Sequence, residues 1–107
     1  MQIYLDYSAT TPPRPEVIAA MKTAMTQQWG NPSSLHHWGN RSATVLERAR
    51  TQVATLINAA TPESIVFTSG GTEADNLAIF GIAGQYHQPQ HIITSSVEHS
   101  AVAKTVQ

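Results

Sequence analysis

Two short stretches carry residue types suited to chemistry. Thr68-Ser69-Gly70-Gly71-Thr72-Glu73 sets two glycines among hydroxyls, between an apolar run and a helical pattern. Glycines there let the backbone approach a ligand closely, and free N–H groups at the positive end of a helix dipole favour a phosphate. Thr72 adds a hydroxyl donor. Thr72-Glu73-Ala74-Asp75 also matches a capping pattern, a threonine followed three residues later by an acid, and such a cap is compatible with anion binding by the same turn. The stretch has neither a Gly-Lys-Ser/Thr ending nor a Gly-x-Gly-x-x-Gly fingerprint, so it fits nucleotides poorly. The second stretch, Ser95-Ser96-Val97-Glu98-His99-Ser100, offers His99. An imidazole at that point either stacks on a flat ring or moves a proton, or it simply starts a helix beside Glu98.

Composition narrows the remaining chemistry. Five histidines raise the question of a metal, with His36-His37 adjacent and His87 and His91 four apart. His87 and His91 flank a proline turn instead of sharing a helix face, and no complete ligand set at known spacing results, so no metal site is expected. The absence of cysteine excludes disulfides and thiolate chemistry within these residues. Six basic residues against seven acidic ones, a formal charge of -1, give no footprint for nucleic acid or for a membrane surface. The start Met1-Gln2-Ile3-Tyr4-Leu5-Asp6 does not read as a secretory signal, and no apolar run is long enough to span a bilayer, so the expected location is cytoplasmic.

The elements that must position the two stretches follow from periodicity. Ile3, Leu5 and Tyr7 alternate as in a short strand. Pro15 suits a helix start, with Val17, Ile18, Met21, Ala24 and Met25 at helical spacing behind it and a stop before Trp29-Gly30-Asn31-Pro32. A second, amphipathic helix is expected from about Ser42 to Asn58. The run Ser64 to Thr68 has the β-branched, apolar character of a strand covered on both faces. A helix is expected from Thr72 to about Gly84, and a second buried strand over His91 to Ser95. Strand, helix and strand make a βαβ unit, an α/β class with both candidate stretches at the carboxyl end of the sheet. A further helix is expected to open at Ser100. A parallel pair with bare edges is a poor stand-alone fold, so the expectation is part of a larger doubly wound domain, or a piece completed by another chain, exposing apolar surface that the whole protein buries.

Four ordered motifs together resemble the cysteine desulfurase family, pyridoxal-phosphate enzymes related to class V aminotransferases. They are Tyr4-Leu5-Asp6-Tyr7-Ser8-Ala9-Thr10-Thr11-Pro12, Gly30-Asn31-Pro32-Ser33-Ser34-Leu35-His36, the run from Phe67 to Ile79, and the run from Ile93 to Val102. The resemblance implies the start of the doubly wound large domain of a fold-type I pyridoxal-phosphate-dependent transferase, preceded by a segment of its small domain. Residues 1–37 then form an amino-terminal arm and helix at the active-site entrance, and 38–107 an incomplete cofactor-binding domain.

By the same resemblance, Gly71 and Thr72 would hold the phosphate of pyridoxal 5'-phosphate, and His99 would stack on its ring and assist proton transfer. The family converts L-cysteine to L-alanine, passes the sulfur to an enzyme cysteine as a persulfide, and supplies iron–sulfur cluster assembly. Its members are homodimers that meet sulfur-acceptor or scaffold proteins. The cofactor-linking lysine, the acid beside the pyridine nitrogen, the arginine for the substrate carboxylate and the persulfide cysteine have no counterparts here; Lys22 and Lys104 match no family lysine. The expectation is therefore an amino-terminal part, inactive alone. The alternatives are another class V enzyme, a selenocysteine lyase or an aminotransferase, and a non-catalytic desulfurase-like interaction module.

Overall fold

The computed structural model describes residues 2–107. Its regular elements are helices α1 (Pro15–Gln27), α2 (His37–Leu56), α3 (Gly71–Ala83) and α4 (Ser100–Ala103), with a 3-10 turn at Pro62–Ser64 between α2 and α3. They divide into two units, one ending at Ile65 and the other beginning at Val66.

In the first unit, α1 starts at Pro15 as expected, because a fixed φ and a missing N–H cost nothing at a first helical position. The following turn is held by Asn31, whose side chain accepts from the Ser33 N–H at 2.9 Å and whose carbonyl accepts from Ser34 at 3.0 Å. Helix α2 then begins at His37, five residues ahead of the expected Ser42. The reason is His36, whose Nδ1 accepts from the Gly39 N–H at 3.3 Å and caps a turn that Trp38 and Gly39 would otherwise disfavour.

The turn before α2 packs onto the helix's first turns. The Ser42 side chain is buried and donates to the Gln28 carbonyl at 2.8 Å. The Trp29 and Trp38 rings stack at 5.3 Å, with the Arg41 guanidinium 5.5 Å from the Trp38 ring centre. Backbones meet so closely that a Cβ on Gly39 would strike the Ser34 carbonyl carbon and the Asn31 oxygen, both at 2.8 Å. At its other end α2 closes on Asn58, whose φ of 55° puts it in the left-handed region. Ala59 donates to the Ala54 carbonyl at 2.8 Å and Asn58 to Thr55 at 3.3 Å, the paired bonds of a Schellman ending. Ala54 is buried, and Arg50, paired with Glu47 at 3.2 Å, reaches the Ile65 carbonyl.

The expected strands are corrected: among the described residues no segment forms a strand. Residues 3–7 lead instead into a turn on Asp6, whose carbonyl accepts from Ala9 at 3.1 Å and from the Tyr4 hydroxyl at 2.8 Å. Ser64 belongs to the 3-10 turn, and Ile65 is extended without a ladder partner. Residues 91–95 likewise pair with nothing, with Ile93 90% exposed. Strands depend on neighbours for their backbone bonds, whereas helices supply their own, so only the helical half of the pattern forms.

The second unit pairs α3 with α4. Helix α3 spans the expected region, shifted one residue toward its start, and α4 is a single turn that buries Ala101. Two compact units of these lengths would together expose roughly 7,000 Å²; the chain exposes 9335 Å². Exposed apolar side chains, as expected, contribute to the difference: Val66, Leu77, Phe80 and Ile82 are all exposed.

Gly39→Ala is expected to destabilise the first unit by about 2 kcal/mol or more, because backbone faces the new methyl from both sides. Gly81→Ala, where a Cβ meets nothing within 4 Å, is expected to be neutral or stabilising by up to about 1 kcal/mol. Thermal unfolding followed by circular dichroism compares the two; equal melting of both variants would contradict the packing described.

Candidate functional site

The glycine turn opens α3. Gly70 is the N-cap, extended at φ 171°, and no side chain of the cap residue bonds the helix start. The Thr72 cap expected from the sequence is therefore corrected. Thr72 is the second helical residue, and the acid that closes the turn is Glu73. Its carboxylate Oε2 accepts from the Ser69 N–H at 2.7 Å and from the Ser69 hydroxyl at 2.6 Å. An acid three residues into a helix that reaches back over the cap is a capping-box move; here it takes the N–H of Ser69, one residue before the cap, in place of the cap's own N–H. Two further bonds complete the turn: Thr68 Oγ1 donates to the Gly70 carbonyl at 3.1 Å, and Asn76 Nδ2 to the Thr72 carbonyl at 2.8 Å.

Ser69's hydroxyl and then its N–H hold the Glu73 carboxyl below the ordinary glutamate range, while a small desolvation effect opposes them. Both donors stabilise the charged form.

Donors for an anion remain. The first N–H groups of α3 have no carbonyl inside the helix to accept them. The Thr72 hydroxyl bonds nothing among the described residues. A Cβ built on Gly70 or on Gly71 meets nothing within 4 Å, so the space over the turn is open to a ligand. Two amide donors, a hydroxyl and the positive helix end form a donor set that suits the phosphate of pyridoxal phosphate.

His99 caps the start of α4, and no ion pair with Glu98 forms among the described residues. Its Nδ1 accepts from the Ala101 N–H at 3.1 Å, which leaves Nε2 to carry the proton of a neutral ring. The ring itself is exposed. Thr72 shares a shallow polar groove of about 360 Å³ with Asn76, Ser100, Ala101 and Lys104; Gly71 and His99 are not part of its lining. The structure thus brings Thr72 beside the residue that follows His99. Glu73, which orders the turn, stands three residues after Gly70, two residues ahead of the Thr72–Asp75 spacing that the sequence pattern suggests. Among the described residues no cluster of three metal-ligating side chains occurs, and no helix is long and apolar enough to cross a membrane.

A family model described as aminotransferase class-V matches residues 3–107. The chain is 52% identical over 102 residues to a cysteine desulfurase IscS of Dictyoglomus turgidum, covering 94% of this chain and 26% of that protein. It is 52% identical over 109 residues to a cysteine desulfurase IscS of Shewanella sediminis, covering 98% of this chain and 27% of the relative. A selenocysteine lyase of Xenopus tropicalis is 42% identical over 115 residues, covering 95% and 26% respectively. The chain spans about a quarter of the length of the curated relatives it matches.

The latch on Ser69 has a definite pH sign. A carboxyl whose folded value lies below its unfolded one adds stability above the unfolded value and loses it as pH falls through the folded value. Titrating the Glu73 side-chain carboxyl by NMR is expected to give a midpoint below the ordinary glutamate range; an ordinary glutamate midpoint would contradict the two bonds to Ser69.

Proposed function

The chain belongs to the class-V aminotransferase family, and on that premise we propose that it is the amino-terminal part of a cysteine desulfurase of fold type I. The whole enzyme converts L-cysteine to L-alanine and passes the sulfur to an enzyme cysteine as a persulfide for iron–sulfur cluster assembly. The observation that carries the reading is the open, donor-rich turn at Gly70–Thr72, lying inside a stretch 52% identical to a named desulfurase. The 42% match to a selenocysteine lyase keeps that activity as the second reading.

In this reading the Gly71 and Thr72 N–H groups and the Thr72 hydroxyl hold the cofactor phosphate. Pyridoxal phosphate, when bound, supplies an electron sink to the substrate amino acid. His99 would stack on the ring and would hold or move a proton at Nε2, because Nδ1 is engaged by Ala101. No residue of the chain is a cysteine, so it contributes no sulfur-carrying thiol. Residues 1–37 are assigned to the arm and helix at the active-site entrance, and 38–107 to the start of the cofactor-binding domain, where the expected strands gain neighbours in a doubly wound sheet. The reading further takes the whole protein as a cytoplasmic homodimer that serves sulfur acceptors or iron–sulfur scaffolds.

A chimaera tests the assignment. Replacing the matched stretch of the Dictyoglomus turgidum desulfurase with residues 3–107 of this chain is expected to leave alanine release from L-cysteine within about tenfold of the parent, a change of about 1.4 kcal/mol in the barrier. A folded chimaera that binds the cofactor but releases no alanine would overturn the desulfurase reading.

A further inference from the structure

The strongest group that the reading above leaves without a role is the Glu73 carboxylate. It is exposed, yet it makes two short charge-assisted bonds to one residue, Ser69, across the glycine cap. Ser69 and Glu73 flank Gly70, Gly71 and Thr72, so the bonds close a short ring around the segment that carries the open donors. A Cβ on either glycine would meet nothing within 4 Å, so no side-chain packing fixes their φ and ψ. Besides the Thr68 hydroxyl and Ala74 N–H bonds to the Gly70 carbonyl, the Glu73–Ser69 pair is what spans the two, and loose glycine backbone is costly to order when a ligand arrives.

We propose that Glu73 is a positioning residue, which through Ser69 fixes the Gly70–Gly71 backbone so that the Gly71 and Thr72 donors face a phosphate before it binds. The proposal rests on the reading of Gly71 and Thr72 as phosphate donors. Glu73 does not itself compete for the ligand: the donors it occupies belong to Ser69, while the Thr72 hydroxyl stays unbonded. An anion placed at a phosphate site repels the ligand, and Ser69's two donors offset part of that charge.

The test is a titration of the 107-residue chain with inorganic phosphate, followed by amide shifts of Ser69, Gly71 and Thr72 in the wild type and in Glu73→Ala, Glu73→Gln and Ser69→Ala. Glu73→Ala is expected to weaken phosphate binding about fivefold or more, with Glu73→Gln in between because its amide oxygen still accepts one bond. Ser69→Ala is expected to weaken it by about twofold to threefold and to add little on top of Glu73→Ala, as partners in one interaction do. Helix content from circular dichroism separates lost positioning from lost structure, and Ser69→Ala, outside α3, decides the matter if Glu73→Ala loses the helix. Variants that bind phosphate like the wild type overturn the positioning role and leave the phosphate site standing. Tighter binding by Glu73→Ala also overturns it, since the carboxylate then competes with the ligand. A wild type whose Gly71 and Thr72 amides ignore phosphate overturns the site reading and this proposal with it.

Discussion

Helix starts leave N–H groups that no carbonyl within the helix can accept, and the way this chain treats them shapes both its units. At α1 proline deletes a donor. At α2 and α4 histidine Nδ1 atoms take one, from Gly39 and from Ala101. At α3 the cap is glycine, and Glu73 reaches back over it to Ser69 instead of bonding the helix's own first N–H groups. The consequence is a helix start that is ordered yet still open to an anion. A serine or aspartate at position 70 would order the same turn by filling the donors that a phosphate needs.

The rest of the fold shows what backbone bonding permits and forbids. Helices α1, α2 and α3 carry their hydrogen bonds within themselves, and α2 gains cover from the Trp29 turn through the buried Ser42 bond and the stacked tryptophans. The β-branched runs at 64–68 and 91–95 form no strand among the described residues, and α3, packed on the single turn of α4, keeps Leu77, Phe80 and Ile82 exposed. Membership of the class-V aminotransferase family, whose relatives are about four times as long as this chain, is consistent with that pattern: apolar runs without cover here are the kind that a longer protein buries.

Legibility followed the range of each interaction. The start of α1 was readable because proline at a first helical position is a local signal, and the glycine turn because small residues between an apolar run and a helical pattern need no distant partner. The start of α2 was missed because histidine is not among the usual capping residues, so nothing marked His36. The cap at α3 was placed at Thr72 because threonine is the familiar capper, although Glu73 stands at the right distance from Gly70 to close the turn itself. The strands were misread for the opposite reason: their residue types were right, but pairing is a property of segments that lie apart in the sequence. Residue type and position single out the stretches that hold Gly71, Thr72 and His99, and the family resemblance supplies their proposed roles, whereas the Glu73–Ser69 contact emerges only with coordinates.

The central claim is that the turn at Gly70–Thr72 recognises the phosphate of the cofactor, not its ring. The most direct measurement compares pyridoxal phosphate with pyridoxal as ligands of the 107-residue chain, read by the amide shifts of Gly71 and Thr72. The account predicts saturable shifts at both residues with pyridoxal phosphate and none with pyridoxal. Equal shifts with the two ligands, or no shift with either, would contradict it.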